Sequence, residues 1–449
     1  MVRKAKAASA AGQESGFANA LDRYFGLKKA GTNVRTETVA GLTTFLTMAY
    51  IIFVNPQILA NAGMDKGAVF VATCLASAIC TLVMALYANY PIALAPGMGL
   101  NAFFAFTVVL GYKYTWQQGL AAVFCSGVLF LLISLFKIRE YVINAIPLNL
   151  KFAISAGVGL FLGIIGLETA GLVVDHPATL VTLGNLKAWP AVLALFGFVL
   201  IVVLNARNVT GGTLIGILVV TIIGIPLGLA QYQGLVSLPP SIVPTFLQLD
   251  FSRALELSFI IVVLTLLLVD LFDNAGTLIG VTHRAGLLDR RGRLPRMREA
   301  LISDSFAAML GSLLGTSTTT SYIESAAGVN AGGRTGLTAV VVAILFLVAL
   351  LFSPLASMVP AYATAAALLY VACVMARGIA EMTWDDVTEY APAMVTAIAM
   401  PLTYSIATGI GLGFITYAGA KLLSGRWREC PIAVYVLAVL FAIKFAVSG

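Results

Sequence analysis

Long apolar stretches, separated by short polar connections, fill most of the chain beyond residue 37. In the first half they lie at about residues 38–55, 67–88, 98–111, 116–136, 152–168, 189–205 and 213–231. In the second half they lie at about residues 254–281, 299–315, 322–332, 335–353, 361–378, 391–405 and 407–423. At about 1.5 Å per residue, the longer stretches can cross a hydrocarbon core of about 30 Å as helices. The pattern predicts an all-α protein that passes through a membrane many times.

The number of these stretches predicts the architecture. Residues 391–423 are too many for one crossing, and Pro401 interrupts them, so we divide them into two elements. Fourteen elements result, seven in residues 38–231 and seven in residues 254–423. An odd number per half inserts the second half upside down relative to the first, the inverted-repeat plan of many secondary transporters. The apolar segment at 431–447 has no assigned place in this plan.

One element in each half is short and poorly hydrophobic. Residues 91–99 contain Pro96, Gly97 and Gly99, and residues 315–322 contain a run of threonine and serine. These residues favour extended backbone that leads into a helix start, so we predict a short strand before the third and the tenth element, each a half-helix. Such backbone persists at membrane depth only where it is buried in protein or lines a cavity. The paired interruptions therefore predict a binding site near the middle of the membrane.

Charged residues are rare and lie mostly at the ends of the apolar stretches. The chain is 60% hydrophobic and 10% charged, with a mean hydropathy of +0.96. When the elements alternate in direction, seven Lys and Arg among the first 35 residues and six arginines at 284–298 fall on one side, which is cytoplasmic by the positive-inside bias. Residues 1–37 therefore form a predicted cytoplasmic segment, with a helix near residues 16–27 on the membrane surface. The basic residues behind the net charge of +7 lie at the membrane boundaries, where they set the orientation of the chain. The net charge therefore does not predict nucleic-acid binding.

Two aspartates interrupt the apolar stretch Leu257–Val281. Asp270 and Asp273 lie three residues apart, so they share one helix face. An ionisable group at this depth costs roughly 2.5–3.5 kcal/mol on insertion scales, and it marks a functional site more often than simple polar packing between helices. Asn101 and Glu324 fall in the first turns of the two half-helices. We predict that these four side chains converge on one ligand.

Three carboxyl groups and one carboxamide suit a ligand that offers N–H donors. A phosphate or sulfate would be repelled, whereas the edge of a nucleobase presents paired donors and acceptors. Phe104, Ser321 and Tyr322 belong to the interrupted segments and are predicted to line the site, the aromatic rings by stacking on a flat ligand. Asp270 and Glu324 are the candidate proton carriers. The chain has no Gly-x-x-x-x-Gly-Lys-Ser/Thr loop, so the predicted driving force is an ion gradient or passive flow.

Four motifs resemble a single transporter family. They lie at residues 41–56, 95–104, 269–277 and 315–338. They closely resemble the azaguanine-type purine permeases, which belong with the nucleobase–cation symporters and share the fold of the uracil and ascorbate transporters. The resemblance extends from about residue 24 to residue 421, and it implies fourteen membrane elements in two inverted repeats.

The resemblance also implies two domains with different functions. A core domain of residues 38–136 plus 254–353 would carry the site, and a gate domain of residues 152–231 plus 361–423 would mediate homodimer contacts. The implied activity is proton-coupled import of adenine, guanine or hypoxanthine by alternating access, across the cell membrane of a bacterium (the inner membrane). The family's site residues fall on those identified above: Asn101, Asp270, Asp273 and Glu324. Asn274 departs from the family pattern, in which we expect Thr or Ser.

Other functions are open from the residues alone. An anion transporter of the same fold would need a neutral or basic site where this chain has Glu324, and a passive channel differs only in lacking coupling. An intramembrane aspartyl protease needs two carboxyls from separate helices, whereas Asp270 and Asp273 share one. The five cysteines lack C-x-x-C spacing and predict neither a metal site nor a disulfide. We therefore predict a transporter rather than an enzyme, without cofactor or metal, whose partners are a purine and the membrane lipids.

Overall fold

The computed structural model describes residues 16, 19–135, 146–284, 287 and 295–448, apart from several side chains in the helix that carries the two aspartates and those of residues 447 and 448. The first half contains α1 Val34–Met48, α2 Ile51–Ala60, α3 Lys66–Val83, α4 Met98–Ala102, α5 Trp116–Leu135, α6 Leu148–Thr169, α7 Trp189–Ala206 and α8 Gly212–Gly224. The second half contains α9 Leu257–Arg284, α10 Met297–Leu314, α11 Ser325–Asn330, α12 Gly336–Ala349, α13 Ser353–Met358, α14 Ala361–Ala376, α15 Val387–Leu402, α16 Ile406–Leu423 and α17 Ile432–Ser448.

Several helices are long and apolar enough to cross a membrane. Among the described residues there are eight such segments: Val34–Ala60, Lys66–Ala88, Trp116–Leu135, Leu148–Thr169, Trp189–Ala206, Gly336–Met358, Ala361–Glu381 and Ile406–Leu423. Four shorter apolar helices accompany them: Met98–Gly111, Gly212–Gly224, Leu257–Leu271 and Ile432–Ala446. The chain is therefore a helical, multi-pass membrane protein. Residues 19–25 are also helical, and residues 17 and 18 of the predicted surface helix lie outside the described residues.

Local sequence explains several helix boundaries. The side chain of Asn33 accepts a hydrogen bond from Thr36 N at the start of α1, and Asp65 accepts one from Ala68 N at the start of α3. Wider π-helical turns extend α3 over Met84–Ala88 and α4 over Phe103–Gly111. Such turns interrupt the regular ladder and occur often at functional sites.

Two short strands lie directly before α4 and α11. β1, Leu94–Pro96, pairs antiparallel with β4, Thr319–Ser321, and Ala95 lies opposite Thr320. Both strands are fully buried. A second pair, β2 (Val173–His176) and β3 (Leu180–Leu183), forms an exposed hairpin between α6 and α7 that the hydrophobic pattern does not predict.

The helices pack in two groups. The strand group consists of α1–α5 and α9–α12: α5 packs on α9 and α10, α12 packs on α1 and α3, and β1 and β4 contact α3, α9 and α10. The α6 group consists of α6–α8 and α14–α16: α6 packs on α14 and α15, and α7 packs on α8 and α14. The strand pair thus lies within the first group, and the second group provides a neighbouring wall.

The C-terminal apolar segment, which the repeat plan leaves unassigned, forms α17 and packs antiparallel to α16. The rings of Phe414 and Phe441 lie 6.3 Å apart near the middle of the two helices. Further along α17, Lys444 Nζ donates to Tyr112 OH over 2.7 Å, and Tyr112 OH lies 3.4 Å from Ser405 Oγ at the start of α16. Lys444 thereby connects the end of the extended α4 to the α6 group.

Candidate functional site

The strand pair fixes the starts of α4 and α11 beside each other. Gly97 N donates to Thr318 O, and Tyr322 N donates to Ala93 O, both over 2.9 Å, so the pairing continues on either side of the three-residue strands. Gly97 is required here because a Cβ at this position would lie 2.8 Å from Thr320 Cγ2. The two interruptions predicted from the sequence are therefore in direct contact, buried in protein as the membrane environment demands.

Asn101 lies in α4, one turn beyond the strand crossing, and is fully buried. Its Oδ1 accepts a hydrogen bond from Ser317 Oγ on the segment that leads into β4. Its Nδ2 has no hydrogen-bond partner among the described residues. A buried amide donor without a partner is costly, by about 1–3 kcal/mol, and is an available contact for a ligand acceptor.

Asp270 is held toward β4 by an asparagine on its own helix. Asn274 Nδ2 donates to Asp270 Oδ1 over 2.8 Å. The Oδ1 of Asn274 accepts from Thr320 Oγ1 at 2.8 Å and from Ser321 N at 3.1 Å, and both Asp270 and Asn274 are buried. Asn274 thus joins α9 to the strand pair, a role that the sequence analysis missed. The signal was available, since residues four apart on a helix are neighbours.

Glu324 lies at the start of α11 and is partly buried. Tyr50 OH, from the junction of α1 and α2, donates to Glu324 Oε1 over 2.6 Å. The backbone carbonyl of Glu324 accepts a long hydrogen bond of 3.5 Å from Thr47 Oγ1. Glu324 is predicted from the sequence whereas Tyr50 is not, although Tyr50 lies within the first of the four motifs.

The remaining predicted residues differ in where their side chains point. Ser321 Oγ donates to Asp304 Oδ1 over 2.8 Å, which brings in a buried carboxyl of α10 that the sequence analysis did not single out. Tyr322 OH donates to Pro96 O over 2.6 Å and so braces the strand pair. The ring of Phe104 packs against Gly119 of α5, so in this conformation it serves helix packing. The side chain of Asp273 lies outside the described residues.

The α6 group approaches the site at the start of α4. A Cβ at Gly99 would collide with the Cγ1 atom of Val158 on α6. Glycine at position 99 therefore allows a helix of the neighbouring group to reach the half-helix within two residues of Asn101. The site is formed by the strand group and is bounded by the α6 group.

A second polar cluster, which we call the lysine cluster, lies at the other end of α16. The Nζ of buried Lys421 lies 2.7 Å from Glu389 Oε1, 3.0 Å from Glu429 Oε2 and 3.7 Å from Asp386 Oδ2. Arg426 lies 2.6 Å from both Asp386 Oδ2 and Glu429 Oε2. Two cations and three carboxylates thus tie the start of α15 to the end of α16.

Hydrogen bonding keeps two of these carboxylates charged. The hydroxyl and backbone N–H of Thr388, followed by Arg426, lower the pKa of Asp386 to about 2. Arg426, followed by Lys421, lowers the pKa of Glu429 to about 2. These carboxylates accept bonds that favour their ionised form. Asp386 and Glu429 are therefore ionised over the whole physiological pH range.

Two solved structures have the same fold. The transmembrane domain of the cyanobacterial bicarbonate transporter BicA aligns with a TM-score of 0.63 over 84% of this chain and 97% of that chain, at 17% identity. SLC26A9 aligns with a TM-score of 0.64 over 92% of this chain and 70% of that chain, at 11% identity. Identities this low show the fold alone. The fold and the helices that are long enough to cross a membrane define a multi-pass membrane protein.

Sequence comparison gives the family. The sequence model of the Permease family, Xan_ur_permease, matches residues 35–412. Adenine permease AdeP of Escherichia coli (strain K12) is 49% identical over 94% of this chain and 95% of its own length. Guanine/hypoxanthine permease PbuG of Bacillus subtilis (strain 168) is 46% identical over 95% and 99%, and nucleobase transporter PlAzg2 of Paenibacillus larvae is 35% identical over 86% and 77%. The chain belongs to this Permease family, and the resemblance to azaguanine-type permeases is confirmed.

Proposed function

We propose that the protein imports purine nucleobases across the cell membrane. The observation that carries the proposal is the meeting of two interrupted elements, with Asn101 beyond one strand and Glu324 beyond the other. Asn101 Nδ2 is a buried donor without a described partner, and Glu324 is a carboxylate that can accept N–H groups of a purine edge. The names of AdeP, PbuG and PlAzg2 support a nucleobase substrate.

Each predicted side chain has a role in this proposal. Glu324 accepts from the ligand with its orientation fixed by Tyr50, and Asn101 donates to a ring nitrogen or carbonyl. Asp270 contributes a second carboxyl that Asn274 holds against β4. The predicted lining is completed by Asp273, Ser321, Tyr322 and Phe104. The ring of Phe104 packs against Gly119, so it would reach the ligand only if α4 shifts against α5.

Proton symport provides the driving force in this proposal, with Asp270 and Glu324 as the coupling carboxyls. The side chain of Glu324 accepts a hydrogen bond from a neutral tyrosine, and buried Asp270 accepts one from Asn274. A buried carboxyl with neutral partners can exist in either protonation state, whereas one bonded to an arginine or lysine is held ionised. Protonation accompanied by purine binding would couple the two fluxes.

Alternating access follows from the two helix groups. We propose that they correspond to a core domain and a gate domain, that they arise from a seven-plus-seven inverted repeat, and that the gate domain forms the dimer contacts. The close approach of Val158 to Gly99 supports movement of one group against the other around the site. By the positive-inside bias, the amino terminus is cytoplasmic.

Inorganic anion transport, the activity named for BicA, is the main alternative within this fold. It is disfavoured because the start of α11 carries Glu324, whose charge would repel an anion. A passive channel would have the same lining and would differ in its response to the proton gradient.

The test is uptake of radiolabelled adenine, guanine and hypoxanthine in cells that lack their own purine permeases. We expect saturable uptake that unlabelled purines inhibit, that bicarbonate does not inhibit, and that collapses when a protonophore dissipates the proton gradient. Glu381→Gln, a change at an exposed carboxyl outside the site, is the control for expression. Purine uptake that persists unchanged with the protonophore would contradict proton symport. Bicarbonate uptake without purine uptake would contradict the proposal that the substrate is a purine.

A further inference from the structure

A cavity of about 410 Å³ lies outside the proposed purine site, where the N-terminal helix meets the ends of the strand group. Four stretches of chain surround it: the helix and turn at residues 23–30, the turn after α3 at residues 89–90, the residues before α10, and the residues before α12. Four of its lining side chains are cationic: Arg23, Lys29, Arg296 and Arg334. None of its described lining residues is acidic.

The four cations keep their charge available to the cavity. Within the part of the chain that the structure describes, none of them forms an ion pair with a carboxylate, whereas neighbouring Lys28 lies 3.6 Å from Asp22. The nearest buried carboxylate, Glu37, accepts from the backbone N–H of Arg334 and from residues 335 and 338. Glu37 therefore bonds the backbone N–H groups at the start of α12 and does not neutralise the charge of the Arg334 guanidinium.

Two of the guanidinium groups are also held in position. Arg334 Nη1 donates to Val329 O and Gly333 O, each over 2.7 Å. Arg296 Nη1 donates to Ala88 O over 3.2 Å. Within the described part of the chain, the side chains of both arginines donate through Nη1 and not through Nε or Nη2. A planar guanidinium fork held in this way matches a phosphate group.

The rim of the cavity is amphipathic. Tyr24 is 59% exposed, and its hydroxyl donates to Leu86 O over 3.0 Å. The ring of Phe25 packs edge to face against the ring of Tyr24. Tyrosine in such a position is typical of the boundary between lipid tails and head groups. An aromatic rim around four cations suits a ligand with a phosphate and an apolar neighbour.

We propose that this cavity binds a phosphate-bearing anion, taken either from the head group of an anionic phospholipid or from a soluble phosphate ester. The phosphate lies among Arg23, Lys29, Arg296 and Arg334. Because Arg334 also donates to Val329 O near the C-terminal end of α11, a bound anion acts on the far end of the short helix that begins after Glu324. This inference does not depend on the identity of the transported substrate.

The experiment measures binding to the purified full chain in neutral detergent. The probes are dioctanoyl phosphatidylglycerol, dioctanoyl phosphatidylcholine and glycerol 3-phosphate, titrated by calorimetry. The variant Arg23→Gln with Lys29→Gln removes two cavity cations, both on exposed residues. The matched control, Lys28→Gln with Arg35→Gln, removes the same charge from residues that do not line the cavity. Lys29→Gln alone is the second variant if the double variant does not fold.

We expect phosphatidylglycerol to bind the wild type, and the cavity variant to weaken that binding roughly twentyfold, since each cation near a lipid surface contributes about a factor of five. The control changes it by less than about twofold. If glycerol 3-phosphate competes with phosphatidylglycerol and its binding depends on Arg23 and Lys29 in the same way, the source of the anion is a soluble phosphate ester. If it does not compete, the source is the lipid. Equal weakening in both double variants, or phosphatidylcholine binding as well as phosphatidylglycerol, overturns the proposal.

Discussion

The proposed purine site and the lysine cluster use carboxyl groups in opposite ways. In the site, Glu324 accepts a hydrogen bond from the neutral side chain of Tyr50, and Asp270 accepts one from that of Asn274. In the lysine cluster, three carboxylates lie within 4 Å of Lys421. A carboxyl bonded by a neutral tyrosine, as Glu324 is, can take up a ligand donor, whereas the carboxylates of the lysine cluster are already engaged in ion pairs.

The position of each cluster fits this difference. The lysine cluster joins α15 and α16 within one helix group, where fixed ionic contacts hold two neighbouring helices together. The site lies in the strand group, next to the contact between Gly99 and Val158, where the two groups meet. In our proposal, function resides in the buried carboxyls of the site, and rigidity in the carboxylates that form ion pairs with Lys421 and Arg426. Each prediction below sets one side of this comparison against the other.

The largest effect is expected from Asp270→Asn. Uptake should fall at least about hundredfold, because the variant loses a charge needed for coupling. Folding should be retained, since Asn274 Nδ2 can still donate to the new carboxamide oxygen. Purine uptake and the thermal unfolding temperature in detergent check the two halves of this statement. Near-normal uptake by the variant would make Asp270 a structural residue.

Lys421→Met should act on stability rather than on substrate recognition. Removal of the buried cation leaves Glu389 without its ion-pair partner, whereas Arg426 still pairs with Asp386 and Glu429. The loss of stability should therefore be moderate, because the carboxylates are partly exposed and water screens them. A lower thermal unfolding temperature with an unchanged KM for purine is the expected result. Arg428→Met, which removes an exposed neighbouring cation, is the control. An unfolding temperature equal to that of the control would show that the cluster is not a stabilising tie.

Gly99→Ala should slow transport about tenfold, because an added methyl group overpacks the contact with Val158 by about 1–3 kcal/mol. The double variant Gly99→Ala with Val158→Ala should recover most of the rate, since it restores the space. Initial rates of uptake at saturating purine measure both. Failure of the second substitution to rescue would place the defect within the strand group instead.

Acid should weaken the lysine cluster by a small amount. Because the pKa values of Asp386 and Glu429 are lowered to about 2 in the folded protein, their stabilisation is fully present above the ordinary carboxyl pKa of about 4. It is lost as the pH falls from about 4 to about 2. The unfolding temperature should drop over this range, and the drop should be smaller in Asp386→Asn with Glu429→Gln. An equal drop in both proteins would assign the acid sensitivity elsewhere.

The sequence predicts the site where chemistry is local to one segment. Asn101 and Glu324 were identified because glycine, proline and threonine mark the helix starts beside them, and Asp270 because its charge is conspicuous among apolar residues. Tyr50 and Asp304 are not predicted because their partners, Glu324 and Ser321, lie in other elements of the fold. Ordinary residues in a helix acquire a role only through such tertiary contacts.

The same reasoning explains the outcomes for the fold. Hydrophobic length and the positive charges at segment ends predict a multi-pass helical protein, which the structure and the family membership confirm. The β2–β3 hairpin is not predicted because its strands are only four residues long and mostly exposed, so no buried alternation of apolar residues marks them. The place of α17 could not be predicted, because it depends on Phe441 and Lys444 meeting α16 and Tyr112.

The central claim is that purine and proton move together through Glu324. Proteoliposomes containing the full chain and a trapped pH-sensitive dye test it most directly. Addition of adenine or hypoxanthine outside should acidify the lumen of wild-type vesicles, and vesicles with Glu324→Gln should show no acidification. Purine entry into wild-type vesicles without a change in luminal pH, or acidification by the Glu324→Gln variant, would contradict the account.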